Sequence, residues 1–132
     1  MSLQAVIAEL TLIEGVWTDF TPTFSSSSGT LTTKSASGRY KQIGKTVFFT
    51  IKGVITTNGT GSGWLRFTPP VGGLSTGNWN FDAYNVTDNV LLMSRYLVGL
   101  TSATNIDVFK TDGSYPGADG KTYILSGQYE SN

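Results

Sequence analysis

Two short stretches of this chain hold the side chains best suited to recognising a ligand. The first is TDGSYPGADG, residues 111–120, where Asp112, Tyr115 and Asp119 stand among three glycines. A flat aromatic ring suits the CH face of a sugar, and carboxylates accept its hydroxyls. The second is NWNFDAY, residues 78–84. There Asn80, Asp82 and Tyr84 alternate, so they share one face of an extended chain. Both groups suit carbohydrate. The plainer reading of the first is two Asp-Gly turns around a Ser-Tyr-Pro tip. The spacing of Asp112 and Asp119 matches no EF-hand loop, so no metal is expected.

The residue types that are missing narrow the chemistry further. The chain has no histidine and no cysteine. That removes the usual general base near neutral pH, every Ser-His-Asp or Cys-His arrangement, and any disulfide or thiolate metal site. Glycoside hydrolysis needs only two carboxylates, and Asp and Glu together number 9. Glu9, Glu14 and Glu130 lie near the ends of the chain, however, and no acidic pair stands out by spacing or apolar surroundings. The expectation is a non-enzymatic protein without a cofactor.

The elements that must position these residues follow from composition and pattern. At 132 residues and 14.1 kDa, one domain is the simplest division. A chain of this size buries roughly two-thirds of its unfolded surface. The formal net charge is zero, and only 14% of residues are charged. No basic run marks a nucleic-acid footprint, and no apolar run approaches the roughly 20 residues of a membrane span. MSLQAVIAEL carries no basic n-region of a secretory signal. The chain holds 16 Gly, 14 Ser and 19 Thr, with 39% hydrophobic residues. Such a composition points to an all-β domain rather than a helical or disordered one.

The pattern predicts about eight or nine short strands with turns between them, as in a β-sandwich or jelly roll. Residues 16–24 read as the first strand and the serine run 25–28 with Gly29 as a loop. Residues 30–36 and 39–43 read as two short strands. In KTVFFTIKGVITT, residues 45–57, Val47, Phe49, Ile51 and Ile55 share one face, and Thr50, Lys52 and Thr56 the other. Gly53 marks a bulge or a close approach. NGTGSG reads as a turn leading back in a hairpin through residues 63–68. Residues 78–86, 90–98, 105–110 and 121–130 complete the strands. Arg66 and Arg95 have Asp82, Asp88 and Asp107 as candidate partners. Residues 1–15 differ: Leu3, Val6, Leu10 and Ile13 follow a heptad a/d pattern. They read either as the end of a coiled-coil neck or as a docked helix or strand of a monomer.

Particular residues also carry a resemblance. WTDFTPTF, then a Gly/Ser loop, then SGRYKQIGKTVFFTIKG, resembles the C-terminal domains of bacteriophage tail fibres and receptor-binding proteins. The shared pattern is met by Trp17, Phe20, Thr21, Pro22 and Thr23, then Gly38, Tyr40, Ile43, Gly44, Lys45 and Val47. GTGSG and the closing LSGQYE fit the same habit. The likeness runs over residues 16–70 and, more loosely, 120–130; residues 75–110 stand outside it. Within it, Trp17 and Phe20 would cap one end of the core, and Pro22 suits an edge strand.

The resemblance implies a homotrimer at the tip of a fibre on the virion, acting outside the host cell. Each subunit would have a helical neck over residues 1–15, with Leu3, Val6, Leu10 and Ile13 for trimerisation, and a β-sandwich head over 16–132. Its partner would be a host surface glycan or protein, with no nucleic acid and no membrane insertion. Three identical sites turn weak binding into avidity. Two other readings stay open: a non-binding trimerisation or folding domain of a larger tailspike, and a monomeric carbohydrate-binding module.

Overall fold

Ten strands and no helix make up residues 16–73, 77–97 and 105–131, the parts of the chain that a computed structural model describes. The heptad residues Leu3, Val6, Leu10 and Ile13 lie outside the described residues. The strands are β1 (Thr18–Phe20), β2 (Phe24–Ser28), β3 (Thr33–Ile43), β4 (Thr46–Thr57) and β5 (Ser62–Phe67). They continue as β6 (Asn78–Asn80), β7 (Asp82–Asn85), β8 (Val90–Leu97), β9 (Ile106–Phe109) and β10 (Lys121–Glu130). All pairings are antiparallel, in the order β1-β3-β4-β10-β7-β8-β9-β5-β2, with β6 added beside β8.

The sheet curls because β8 serves two neighbourhoods. Residues 90–92 pair with β7, and residues 93–96 pair with β9. One half is therefore β1-β3-β4-β10-β7, and the other is β2-β5-β9 with β6. The core lies between them, as expected of an all-β sandwich. Val47, Phe49, Ile51 and Ile55 point into it, as the alternation predicts, beside Leu65, Phe67, Ile106, Val108 and Leu125. Full burial of each such side chain contributes roughly 1.5–3 kcal/mol.

At Gly53 the two halves approach each other closely. The rings of Phe24 and Phe67 stack at 4.3 Å. A Cβ on Gly53 would lie 2.6 Å from the Phe67 ring and 2.9 Å from the Phe24 ring. The ladder runs through Gly53 without a register shift. It marks a close approach and not a bulge.

Several boundaries differ from the sequence reading, each for a physical reason. The expected first strand breaks at Thr21-Pro22-Thr23 into β1 and β2, because Pro22 has no N–H for a ladder. The serine run is a strand and not a loop. It pairs with β5, and the Ser27 hydroxyl accepts the Trp64 N–H at 3.0 Å across an irregular step. Residues 33–43 form one strand running through Gly38, where a Cβ would meet the Phe20 ring at 2.5 Å.

β5 does not fold back on β4. Both edges of β4 are already taken, by β3 and β10. The turn at residues 58–61, with Gly59 at φ 63°, instead carries the chain across to the other half. Trp17 does not cap the core: it is 43% exposed. Phe20 does pack there, edge-on to Tyr40 at 5.7 Å.

Candidate ligand-binding face

The loop at residues 111–120 spends its polar groups on itself and on the turn beside it. Asp112 accepts the backbone N–H of Ser114 at 2.9 Å and its hydroxyl at 2.5 Å. These bonds hold its carboxyl below the usual carboxylate range. Asp119 accepts the Asn58 backbone N–H at 2.7 Å. The Tyr115 hydroxyl donates to Asn58 Oδ1 at 2.6 Å, and its half-buried ring crowds Gly61 and Gly117. Burial raises the Tyr115 hydroxyl pKa. The structure thus brings Tyr115 and Asp119 together, but on Asn58, at the β4–β5 turn. Asp112 closes a separate local turn. The Tyr115 ring is partly buried and packs against the core.

Asn80, Asp82 and Tyr84 alternate as expected, but they do not share one face. The strand breaks at Phe81. Asn80 lies on β6 opposite Arg95, whereas Asp82 and Tyr84 lie on β7 opposite Ser126 and Ile124. Ser94, itself buried, makes the break. Its Oγ accepts the Phe81 N–H at 3.1 Å and donates to the Phe81 carbonyl at 2.6 Å. One hydroxyl satisfies both backbone groups of the residue at the corner. Asn80 therefore joins one half of the sandwich and Asp82 with Tyr84 the other.

The registers then reveal a face that runs across strands distant in sequence. Outward residues line up as Asp19, Arg39, Thr50, Ser126 and Asp82 on β1, β3, β4, β10 and β7. The next row is Ser37, Lys52, Ile124, Tyr84 and Leu91. Three depressions lie on this face. The largest, of about 520 Å3, is lined by Asp19, Phe20, Thr21, Ser37, Gly38, Arg39, Thr50 and Lys52. A second, of about 150 Å3, adjoins it at Thr50 and reaches Asp82, Tyr84, Leu91 and Ile124. A third, of about 190 Å3, adjoins it at Ser37 and Lys52. Sharing Thr50, Ser37 and Lys52, the three form a shallow furrow of adjoining depressions between β1 and β8.

Charge and aromatic groups border the furrow. Asp19 meets Arg39 Nε at 3.4 Å. The Arg39 guanidinium stands 5.6 Å from the Trp17 ring centre, and the Lys41 ammonium 5.3 Å from it. Lys41 also lies 5.7 Å from the Phe48 ring. Cations over aromatic faces are held by about 0.5–1 kcal/mol at exposed sites. Trp17, Arg39, Thr50 and Lys52 were not among the site residues expected from sequence. The alternation of residues 45–57 does put Thr50 and Lys52 outward, but the strands that join them on the face are set by register alone.

The opposite outer face is built differently. Arg66 donates through Nε to Asp107 at 3.2 Å, and Arg95 lies across from Asp107 on β8. Of the candidate pairings, Arg66 with Asp107 is thus formed, and Asp88 pairs with Lys121 at 2.8 Å. Burial pushes the Asp107 carboxyl up, and Arg66 opposes it. The Lys121 hydrogen bond holds Asp88 down. Arg66 and Arg95 also stand over the rings of Trp64 and Phe109, while the buried Trp64 Nε1 and Arg95 Nε find no hydrogen-bond partner among the described residues. Comparison with family models, curated proteins and solved structures finds no match to this chain.

Proposed function

We propose that this chain is the receptor-binding head of a phage tail fibre, carried on the virion and acting outside the host cell. It attaches without catalysis to a polysaccharide on the host surface, through the outer face of β1-β3-β4-β10-β7. One observation carries the reading: three adjoining depressions along this face, with the hydroxyls of Ser37, Thr50 and Ser126 in their linings and the exposed Trp17 indole beside Arg39. An extended, hydroxylated polymer suits a long shallow site with polar groups at intervals. Residues 1–15 serve as the neck of a homotrimer, which repeats the furrow three times. Linking weak sites in this way raises avidity by about 10²–10⁴.

The test is adsorption of the labelled chain to a panel of bacterial strains, wild type against Thr50→Met. Thr50 points outward where the depressions of about 520 and about 150 Å3 adjoin, so a methionine there fills the furrow without entering the core and without changing its charge. Binding to at least one strain, lost in Thr50→Met, supports the reading. Binding that Thr50→Met leaves unchanged refutes the face.

A second reading rests on Leu91, 62% exposed, and Ile124, 42% exposed, which flank Tyr84 at the β8 end of the same face. Exposed neighbouring apolar side chains suit subunit packing. A trimerisation domain predicts a trimer that survives dilution in light scattering and adsorbs to no strain. A monomer that binds glycan favours the free-standing carbohydrate-binding module.

A further inference from the structure

Zero net charge conceals a strong segregation. Between Asp19 and Asp82 the chain carries Lys34, Arg39, Lys41, Lys45, Lys52 and Arg66, and no acid. Five of these six lie on β3, β4 or the turn joining them. Arg39 and Lys52 line the largest depression, and Lys41 is drawn over Trp17 on the same side. Asp19 is the one acid in that lining. It touches Arg39, whose side chain nevertheless stays 57% exposed. Lys52 has no acidic partner within 4.0 Å among the described residues. It stands where the first and third depressions meet, with Ser37 across from it on β3. At the far end of the furrow sits Asp82.

The furrow is thus polarised, cationic over β3 and β4 and acidic at β7. We propose that it binds an anionic polysaccharide, with Lys52 and Arg39 receiving a carboxylate or phosphate and Ser37 and Thr50 facing neighbouring hydroxyls. The inference rests on this face being the receptor site, and it names the receptor's class. With Asp19 answered by Arg39, Lys52 leaves the β3–β4 end of the furrow net positive, and a positive cleft draws an anion. Charge-assisted hydrogen bonds are roughly twice as strong as neutral ones. A neutral sugar would meet Lys52 with hydroxyls only. Asp82 sets the direction: the charged sugar lies toward β3, and an uncharged one lies beside Tyr84 and Ile124.

The test is calorimetric titration of the whole chain with four probes: polyglucuronate, polyglycerol phosphate, dextran and a single-stranded oligonucleotide. Salt is set at about 20 and about 200 mM, between which the Debye length falls from roughly 20 to roughly 7 Å. The expected result is binding to one of the first two, which identifies carboxylate or phosphate as the source, at least about tenfold tighter than to dextran. Lys52→Glu should weaken it by about tenfold or more. Lys110→Glu makes the same charge change outside the furrow and should alter it by less than about twofold.

Equal affinity for dextran, equal effects of the two variants, or an oligonucleotide bound as tightly each overturns the inference. If none of the probes binds, adsorption to cells makes the same comparison. Loss with Lys52→Glu but not with Lys110→Glu sustains it, and retention in both overturns it. Thr50→Met, which fills the furrow without changing its charge, separates the two failures. Cell binding lost in Thr50→Met but indifferent to Lys52 leaves the receptor face standing without its anionic ligand. Binding indifferent to Thr50→Met removes both.

Discussion

Ser94→Ala should be the most informative single change in the fold, because one hydroxyl there serves two buried backbone groups. Ser94 is 3% exposed and Phe81 8%. The hydroxyl accepts one hydrogen bond and donates another, at 3.1 and 2.6 Å. Alanine leaves the Phe81 N–H and C=O buried without partners. Each orphaned group costs about 1–3 kcal/mol, so a loss of roughly 3 kcal/mol is expected if partial relaxation recovers some of it. For a chain of this length that lowers Tm by roughly 10–15 °C. Ser94→Thr keeps the hydroxyl and adds one methyl, so it should lose only about 1 kcal/mol. Urea unfolding gives the stabilities, and amide exchange read by NMR follows the Phe81 N–H directly. That amide should exchange much faster in Ser94→Ala and stay protected in Ser94→Thr. A Ser94→Ala protein within about 0.5 kcal/mol of wild type, with Phe81 still protected, refutes the account of the corner.

Gly53→Val should cost about 1–3 kcal/mol by overpacking against Phe24 and Phe67, outweighing the roughly 0.5–1 kcal/mol that a strand gains on losing a glycine; a stabilised variant in urea would contradict the packing seen there. Tyr115→Phe and Asp119→Ala should each lose about 1 kcal/mol of stability by releasing Asn58, yet leave cell adsorption unchanged; adsorption lost without loss of stability would return the 111–120 loop to the binding site. At high pH the buried tyrosines should unfold the domain. Burial pushes Tyr123 up to about 12, and Tyr129 is raised by burial as well. The unfolded phenols ionise near 10. Between about 10 and 12 the folded state therefore holds more protons, and stability is full below 10 and falls as pH rises. Phenolate absorbance checks this: all six tyrosines titrating together near 10 in a folded protein would contradict it.

What was legible in the sequence was local. Strict alternation gave the inward face of β4 residue by residue, because a pleated strand with one buried side repeats every two residues. β10 was found with its ends in place, since TDGSYPGADG breaks the chain just before it. The misses arise where a contact across the fold overrides local chemistry. A four-serine run reads as loop by composition, yet β5 supplies its ladder and Ser27 an extra acceptor. A glycine-rich turn reads as a hairpin, yet the neighbour that takes the second edge of β4 is the last strand of the chain.

The same logic governs the candidate site. Sequence reasoning gathers residues that are close along the chain, and it favoured Asp112, Tyr115 and Asp119 for that reason. In a turn of ten residues such groups find one another and their own backbone first, as Asp112 does with Ser114, so part of their hydrogen bonding goes to holding the turn. A sheet face works the other way. Neighbours on a strand point to opposite sides, and the groups that meet come from strands far apart in sequence. Asp19, Arg39, Thr50, Ser126 and Asp82 span more than a hundred residues of chain yet form a single row. Their side chains cannot all satisfy one another across a regular ladder spacing of about 5 Å. Thr50 and Ser126 stand between Arg39 and Asp82 and keep two strands between them. Arg39 turns to Asp19, and among the described residues Lys52 in the next row and Asp82 have no oppositely charged partner within 4.0 Å. A cation and an acid thus face solvent in one furrow, each available to a partner from outside.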